Sequence, residues 1–321
     1  MIGTDIRHAA ALLKSGQVVA IPTETVYGLA ANALDAEAVA LIFAIKKRPA
    51  FDPLIVHIHS VEQLRAFTSG QVTTDAIRLV QTFWPGPLTV VLPKAEVIPD
   101  IVTAGLPTVG IRMPAHPIVR QLLSILDFPL AAPSANPFGY ISPVNAAHVA
   151  DQLGEQIPYI LDGGVCQVGL ESTIVDCTTS PCKVLRLGGI SIREIADALG
   201  YTPESLTHSI SNPRAPGMLT THYAPRKKLI LTSDESVFAH YAGQPEIAFL
   251  RSCTPFTGHK IQYLLSSDPY DDRKAASRLF SLLRELDSNP HIKLIIAERV
   301  PDHGLGSAIN DRLTRAAKEI R

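Results

Sequence analysis

Hydroxyl-bearing and cationic side chains cluster at six places in the first 200 residues, each beside an apolar run that predicts a buried strand. Thr25 follows the apolar run at 18–21, and Arg112 ends the run at 109–111. In open α/β sheets, ligands bind where the strands end. A guanidinium binds a carboxylate or a phosphate through two parallel hydrogen bonds. The clusters therefore predict a positively lined cavity for an anionic substrate.

One cluster combines cations with prolines. Lys46 and Arg48 end a predicted helix, where cations often do no more than interact with the helix dipole. Pro49 and Pro53, however, stiffen the connection to the next strand, which carries His57. Because a polyanion site requires fixed cations, this rigidity favours a binding role over a solvated helix end.

Every cluster also has a structural interpretation, and these alternatives stay open. Thr25 could cap a turn, Arg112 could form a structural ion pair, and Ser142 could cap the following helix. The turn at 134–136 after a buried strand is harder to explain structurally. Six independent coincidences explain the pattern less well than one cavity.

An alternation of helices and strands must position these clusters. Asp35 caps a predicted helix, and another helix at 192–199 closes at Gly200. This pattern predicts an α/β domain over 1–200, built on a large twisted mixed sheet with a concave basic cavity. The predicted strands are 18–21, 54–58, 88–92, 109–111, 130–132, 159–161, 173–175 and 184–187.

A Pro-, Ser- and Thr-rich segment separates this domain from a second alternation of strands and helices. We predict that 201–228 is a linker acting as an active-site lid, because a loop of that length is usually functional or disordered. Residues 229–321 predict a small Rossmann-like, three-layer α/β domain that ends in a helix at 307–320. This domain has no GxGxxG motif, so its fold class is no evidence of nucleotide binding.

Composition excludes several classes of protein. The 321 residues have a formal net charge of -1, which argues against holding nucleic acid through bulk charge. The start lacks a secretory signal, and no apolar stretch approaches the roughly 18 residues of a membrane span. Four cysteines without CxxC spacing predict reduced thiols and no metal site. The motifs of P-loop NTPases, zincins and α/β-hydrolases are absent.

Taken in order, the motifs resemble a known family. Residues 1–200 are similar to the threonylcarbamoyl-AMP synthases of the YrdC family, and the linker and second domain resemble its longer, two-domain members. The motifs that carry the resemblance are PTETVYGLA, KKRP with DPL and a histidine, PTVGIRMP, PSAN with SP, ESTIVD, LRLGG and the linker APGMLTTHYAP.

The resemblance implies a reaction and its partners. Threonine and bicarbonate would form a carbamate that attacks the α-phosphate of ATP, releasing pyrophosphate and leaving threonylcarbamoyl-AMP. Downstream threonylcarbamoyl-transfer proteins would use this product to modify tRNA in the cytoplasm, and weak contact with RNA is possible. Mg²⁺ would bind mainly through the triphosphate, which needs no protein cage.

The resemblance also implies residue roles. Asp52 stands where many relatives carry asparagine, and Ala132 stands where several carry a hydroxyl residue, so only the main chain of Ala132 is implicated. Lys46 and Arg48 would be catalytic and face the phosphates. The implied threonine pocket comprises Thr25, His57, Arg112, Ala132 and Ser172. The implied ATP contacts are Arg48, Asp52, Thr108, Ser134, Asn136, Ser142, Arg186 and Tyr223.

Two competing functions stay open at this point. A double-stranded-RNA-binding protein without catalysis could use the same concave face, although the neutral net charge argues against it. A carbamoyl-transfer maturation enzyme with a related domain would be expected to add zinc-binding CxxC pairs, which this sequence lacks.

Overall fold

The structure is a computed structural model that describes residues 1–206, 215–216 and 223–321. Contacts divide the chain into two compact units. The first comprises Met1–Phe138, Ser142–Gln167 and Glu171–Thr220, and the second comprises Gly139–Ile141, Val168–Leu170 and Thr221–Arg321. The domain bounds 1–200, 201–228 and 229–321 stay predictions.

The first unit is a mixed sheet with helices, as predicted. Its described strands form one sheet in the order β1-β8-β2-β3-β7-β4-β6-β5-β9-β10-β11. The strands are β1 (Ile2–Gly3), β2 (Val19–Ile21), β3 (Gly28–Asn32), β4 (Ile55–His57), β5 (Leu88–Pro93), β6 (Thr108–Arg112), β7 (Leu130–Ala131), β8 (Tyr159–Leu161), β9 (Thr173–Asp176), β10 (Lys183–Arg186) and β11 (Glu204–Ser205). The helices are α1 (Ile6–Lys14), α2 (Ala36–Lys46), α3 (Leu64–Phe67), α4 (Thr74–Phe83), α5 (Asp100–Thr103), α6 (Pro117–Ser124), α7 (Ala146–Leu153) and α8 (Ile192–Leu199), with a 3₁₀ turn at Val61–Gln63.

Local sequence explains where the helices begin and end. The side chain of Asp35 accepts hydrogen bonds from two amides of the first turn of α2, and Lys47 ends that helix in the left-handed conformation, with φ of 51°. A capping box between Ser191 and Glu194 begins α8, and Gly200, with φ of 83°, ends it. These caps fix the direction in which the chain leaves each helix.

Strand β3 is not among the strands that the sequence predicts. Its residues lack the β-branched side chains typical of strands. The strand forms because it pairs antiparallel with β2 on one side and with β7 on the other. Strand β2 directly precedes β3 in the chain, whereas β7 lies about 100 residues away and is a contact that local propensity does not report.

The second unit holds a parallel sheet, in the order β14-β13-β15-β12-β16 among its described residues. The strands are β12 (Lys228–Thr232), β13 (Ile247–Arg251), β14 (Gln262–Leu264), β15 (Leu294–Glu298) and β16 (Glu319–Ile320); the helices are α9 (Glu235–Tyr241), α10 (Asp272–Ser288) and α11 (Gly306–Ala316). The prediction of one helix through residue 320 was wrong at its end. The chain leaves α11 at Ala317 and adds β16 to the edge of β12.

Candidate functional site

The register of three strands brings the central polar residues of the first unit together. Strand β6 pairs parallel with β4, placing Arg112 beside His57, and antiparallel with β5, placing Arg112 opposite Thr89. Side chains of directly paired residues lie on the same face of a sheet. Arg112, His57 and Thr89 therefore share one face, although they are far apart in the sequence.

Arg112 is buried and is held by groups from two segments, 24–25 and the turn at Gly86. Its Nη1 donates to Thr25 Oγ1 at 2.9 Å, its Nη2 donates to Glu24 Oε1 at 2.6 Å, and its Nε donates to the carbonyl of Gly86 at 3.2 Å. The side chain is only 4% exposed. A guanidinium fixed in this way is preorganised to bind a planar anion such as a carboxylate.

Glu24 is a functional candidate that sequence reasoning missed. Its second oxygen, Oε2, accepts the amide of Ala115 at 3.1 Å. Burial raises the pKa of this carboxyl, but the charge and hydrogen bond of Arg112 outweigh that effect and hold the pKa below its usual value. Glu24 is therefore ionised and orients Arg112. The signal was present, because this acid lies inside the PTETVYGLA motif.

His57 is buried in an environment that keeps it neutral. Burial, aided by the charge of Arg112, lowers the pKa of His57 to about 3. Its Nδ1 lies 3.2 Å from the carbonyl of Ile55. A neutral imidazole beside Arg112 can exchange hydrogen bonds with a substrate without adding a second charge.

Arg186 and Ser172 form the neighbouring part of the same face. Nε and Nη2 of Arg186 donate to the carbonyl of Ser172 at 3.1 and 2.9 Å, and Nη2 also lies 3.0 Å from Ser172 Oγ. Ser172 Oγ in turn lies 2.8 Å from Thr89 Oγ1. These contacts connect Arg186 through Ser172 to Thr89, which is opposite Arg112 in the strand register.

Lys46 is fully enclosed, which differs from the usual exposure of a cation at a helix end. Its Nζ donates to the carbonyl of Ser134 at 2.6 Å and to that of Asn136. Burial and the nearby charge of Arg48 lower the pKa of Lys46 well below its usual value. Lys46 thus ties the end of α2 to the turn at 134–136.

Arg48 and Asp52 form a buried pair near these cations. Arg48 Nη2 lies 2.9 Å from Asp52 Oδ2 and donates to the carbonyl of Pro53 at 2.8 Å. Burial raises the pKa of Asp52, although the charges of Arg48, Lys46 and Arg186 oppose this effect. Oδ2 is paired with Arg48, whereas Oδ1 has no hydrogen-bond partner within the described part of the chain. A carboxylate oxygen of this kind can bind a metal cation.

Close backbone packing brings the remaining motifs against these residues. A Cβ added to Gly28 would lie 3.2 Å from the Cβ of Ala132, so glycine permits the approach of β3 to the PSAN segment. Likewise, a Cβ on Gly188 would lie 2.3 Å from the carbonyl of Glu171. Ser142 Oγ donates to the Glu171 side chain at 2.6 Å. The six sequence clusters are therefore contiguous in the first unit.

Two hollows adjoin this face, and Thr108 lines both of them. The smaller, about 10 Å³, also contacts Thr89, Gly110 and residues 215–216. The larger, about 620 Å³, also contacts Val91, residues 106–107, Asp176 and residues 178–179. Its volume falls within the range of small-molecule sites, roughly 300–1,000 Å³.

The predicted lid, 201–228, is described only in part, because 207–214 and 217–222 lie outside the described residues. Ala215 packs with Ile55, Val91 and other apolar residues of the sheet, and the carbonyl of Pro216 accepts a hydrogen bond from Arg186 at 3.2 Å. Within the second unit, the buried ring of Tyr223 stacks on Phe280 at a centroid distance of 5.6 Å. Contact of Tyr223 with ATP stays a prediction.

The described residues hold neither a cluster of metal ligands nor a membrane-spanning helix. They contain no group of three or more His, Cys, Asp or Glu side chains suited to hold a metal ion. None of their helices combines the length and apolarity that crossing a membrane requires.

Comparison with known proteins gave matches along almost the whole chain. The family model Sua5/YciO/YrdC, described as "Telomere recombination", matches residues 11–188, and the model described as "Threonylcarbamoyl-AMP synthase, C-terminal domain" matches residues 190–318. The chain is 40% identical to the threonylcarbamoyl-AMP synthase of Pyrococcus abyssi (97% of this chain, 94% of that protein). It is also 40% identical to that of Bacillus subtilis (97% and 92%). The crystal structure of P. abyssi Sua5 complexed with L-threonine superposes with a TM-score of 0.90 at 39% identity, covering 98% of this chain and 95% of that one.

Proposed function

This chain belongs to the Sua5/YrdC family of threonylcarbamoyl-AMP synthases, and from that premise we propose that it converts ATP, L-threonine and bicarbonate into threonylcarbamoyl-AMP and pyrophosphate. It is an enzyme of the nucleotidyltransferase type. Its product supplies the activated group for threonylcarbamoyladenosine in tRNA, through downstream transfer proteins.

The observation that carries this proposal is the placement of Arg112. Its guanidinium is buried and fixed by Glu24 and Thr25, on a face that continues through Ser172 to Arg186. A free amino acid presents a carboxylate, which matches the planar donor geometry of arginine. We assign Arg112 to the threonine carboxylate, with Thr25, His57, the main chain of Ala132 and Ser172 around it.

We assign the nucleotide to the adjoining side of the same face. Arg48 and Arg186 supply cationic donors, Thr108 lines the hollow of about 620 Å³, and Ser134 and Asn136 are held in place by Lys46. The further nucleotide contacts that we propose are Asp52, Ser142 and Tyr223. Lys46 acts here mainly by fixing the turn at 134–136.

Mg²⁺ would bind in this arrangement together with the triphosphate of ATP. Oδ1 of Asp52, which has no hydrogen-bond partner within the described part of the chain, is a hard oxygen donor of the kind that Mg²⁺ prefers, and one or two carboxylates are enough when phosphates supply the other ligands. When bound, the ion neutralises charge on the departing pyrophosphate. Asp52 would hold the ion beside Arg48, which then faces the same phosphates.

The chemistry requires positioning rather than a covalent protein nucleophile. A carbamate oxygen forms a bond to the α-phosphorus, and the bond from that phosphorus to the bridging oxygen of pyrophosphate breaks. Preorganised cations stabilise the charge that develops on the departing group. Holding the two substrates on one face supplies the orientation.

A cover over the face is needed because carbamates and acyl adenylates decompose in water. The packing of Ala215 on the sheet and the contact of Pro216 with Arg186 support a lid role for 201–228. We also propose that the enzyme works in the cytoplasm, where ATP and tRNA are present. The RNA-binding alternative without catalysis is disfavoured, because the curated relatives are named as synthases.

The test is pyrophosphate release by the purified chain with ATP, bicarbonate and threonine. We expect release that depends on threonine and bicarbonate, accompanied by threonylcarbamoyl-AMP in a mass spectrum. Release without threonine, or none at all, would contradict the proposal. Binding of double-stranded RNA without turnover would favour the alternative.

A further inference from the structure

Thr89 connects the two substrate regions of the proposed site, although no sequence motif singled it out. It is fully buried on β5, directly opposite Arg112 in the strand register. Its Oγ1 lies 2.8 Å from Ser172 Oγ, which also lies 3.0 Å from Arg186 Nη2. The hydroxyls of Thr89 and Ser172 therefore lie between the strand position opposite Arg112 and the guanidinium of Arg186.

The chemistry of the donors fixes the direction of these hydrogen bonds. A guanidinium can only donate, so Ser172 Oγ accepts from Arg186. Within the described part of the chain, Thr89 Oγ1 has no acceptor other than Ser172 Oγ. If Thr89 did not donate to Ser172, its proton would have no protein acceptor among the described residues, which is unfavourable for a buried hydroxyl. Thr89 therefore donates to Ser172.

With both acceptor positions of Ser172 Oγ occupied, its own proton is left to donate elsewhere. A serine hydroxyl has two lone pairs and one proton. Arg186 and Thr89 use the lone pairs, so the Ser172 proton is directed away from both of them. An oxygen of a bound substrate is the acceptor that this geometry suits.

Thr89 is itself held in one orientation. A Cβ built on Gly110 would lie 3.3 Å from Thr89 Cγ2, so the methyl group packs closely against the glycine of the neighbouring strand. β-Branched side chains have few χ1 rotamers. The packing of the methyl group therefore aims the hydroxyl at Ser172.

We propose that Thr89 is a positioning residue that makes Ser172 a hydrogen-bond donor to the threonine substrate. This inference rests on the proposed function and adds a residue to its threonine site. Thr89 acts through Ser172 and need not touch the substrate.

The test is Thr89→Val, which keeps the shape of the side chain and removes its hydroxyl. We expect the KM for threonine to rise by about 5-fold, the size of one lost hydrogen bond, with a much smaller change in the KM for ATP. Thr89→Ser restores the hydroxyl and should recover most of the loss. Thr82→Val removes an exposed hydroxyl that bonds the carbonyl of Arg78, and it should leave both constants unchanged.

A double-mutant cycle separates positioning from general damage. If Thr89 acts through Ser172, the double variant T89V/S172A should be no worse than S172A alone. Effects of T89V and S172A that multiply would overturn the inference, as would a T89V enzyme with the wild-type KM for threonine. Should T89V unfold below the assay temperature, Thr89→Ala removes the same hydroxyl and enters the same cycle. Absence of threonine-dependent turnover in the wild-type protein would instead reject the proposed function.

Discussion

Both units of this chain bury arginines, but they surround them differently. In the first unit, Arg112 contacts two segments, one of which, at 24–25, lies more than 80 residues away in the sequence. In the second unit, Arg315 pairs with Asp311 one helical turn away, and Arg312 pairs with the same aspartate. A local pair stabilises one element, whereas contacts between distant segments assemble a site. The comparison indicates that Arg112 serves binding and that the pairs formed by Asp311 serve stability.

The strongest test of this contrast is Arg112→Ala. Loss of charge-assisted hydrogen bonds to a carboxylate should lower kcat/KM for threonine by about 100-fold or more, because each such bond contributes roughly 1.5–3 kcal/mol. The KM for ATP should change far less. Steady-state kinetics with each substrate varied in turn measures both; equal loss for the two substrates would indicate a structural arginine.

The matching variant in the second unit is Arg315→Met, which keeps bulk and removes charge. We expect the free energy of unfolding to fall by about 2 kcal/mol, because Asp311 loses one of its two charged partners. The KM for threonine should stay at the wild-type value at temperatures where the protein is folded. Urea unfolding and kinetics on one preparation provide the check. A large rise in the KM for threonine would contradict the assignment of Arg315 to stability rather than binding.

The variant His57→Gln tests the environment of Arg112 through the pH dependence of the free energy of unfolding. Because burial lowers the pKa of His57 to about 3 from a usual 6.5, the unfolded chain binds a proton below pH 6.5 that the folded chain does not. The contribution of His57 to the free energy of unfolding is therefore fully present above pH 6.5. It falls by about 1.4 kcal/mol per pH unit between pH 6.5 and pH 3.

The measurement is the unfolding free energy of wild type and H57Q at pH 7.5 and pH 5.5. We expect wild type to lose about 1.4 kcal/mol more than the variant between these conditions. Equal losses would mean that His57 is protonated in the folded protein, and its neutral role beside Arg112 would be wrong.

Asp52→Asn should have the smallest effect. If Asp52 helps to hold Mg²⁺, the Mg²⁺ concentration for half-maximal rate should rise by about 3-fold, since the triphosphate supplies most ligands. The maximal rate at saturating Mg²⁺ should be nearly retained. Titration of Mg²⁺ at fixed ATP is the measurement, and an unchanged requirement would remove Asp52 from the metal site.

Sequence patterns located most of the first unit because its signals are local. Helix α8 was predicted at its observed bounds, since a capping box and a C-terminal glycine mark it. The buried strands β5 and β6 were recognised from continuous apolar runs. By contrast, β3 pairs with β7 and β16 pairs with β12, and no local pattern encodes pairing with strands so distant in the sequence.

The site divides in the same way. The residue types that could bind an anion, such as Arg48, Arg112 and Arg186, stand out in the sequence. The arrangement of these arginines in space cannot be read from the sequence. The roles of Glu24 and Thr89 cannot be read from it either, because they come from partners found only across the sheet.

The sequence by itself determined the α/β class, the order of the motifs and the cations available for an anionic substrate, because periodicity and side-chain chemistry are local properties. Only the tertiary structure decided that Arg112 faces Glu24 and Thr25, that Lys46 is enclosed by the turn at 134–136, and that Thr89 meets Ser172. Strand register sets these contacts. Register depends on pairing between segments that the chain brings together only when it folds.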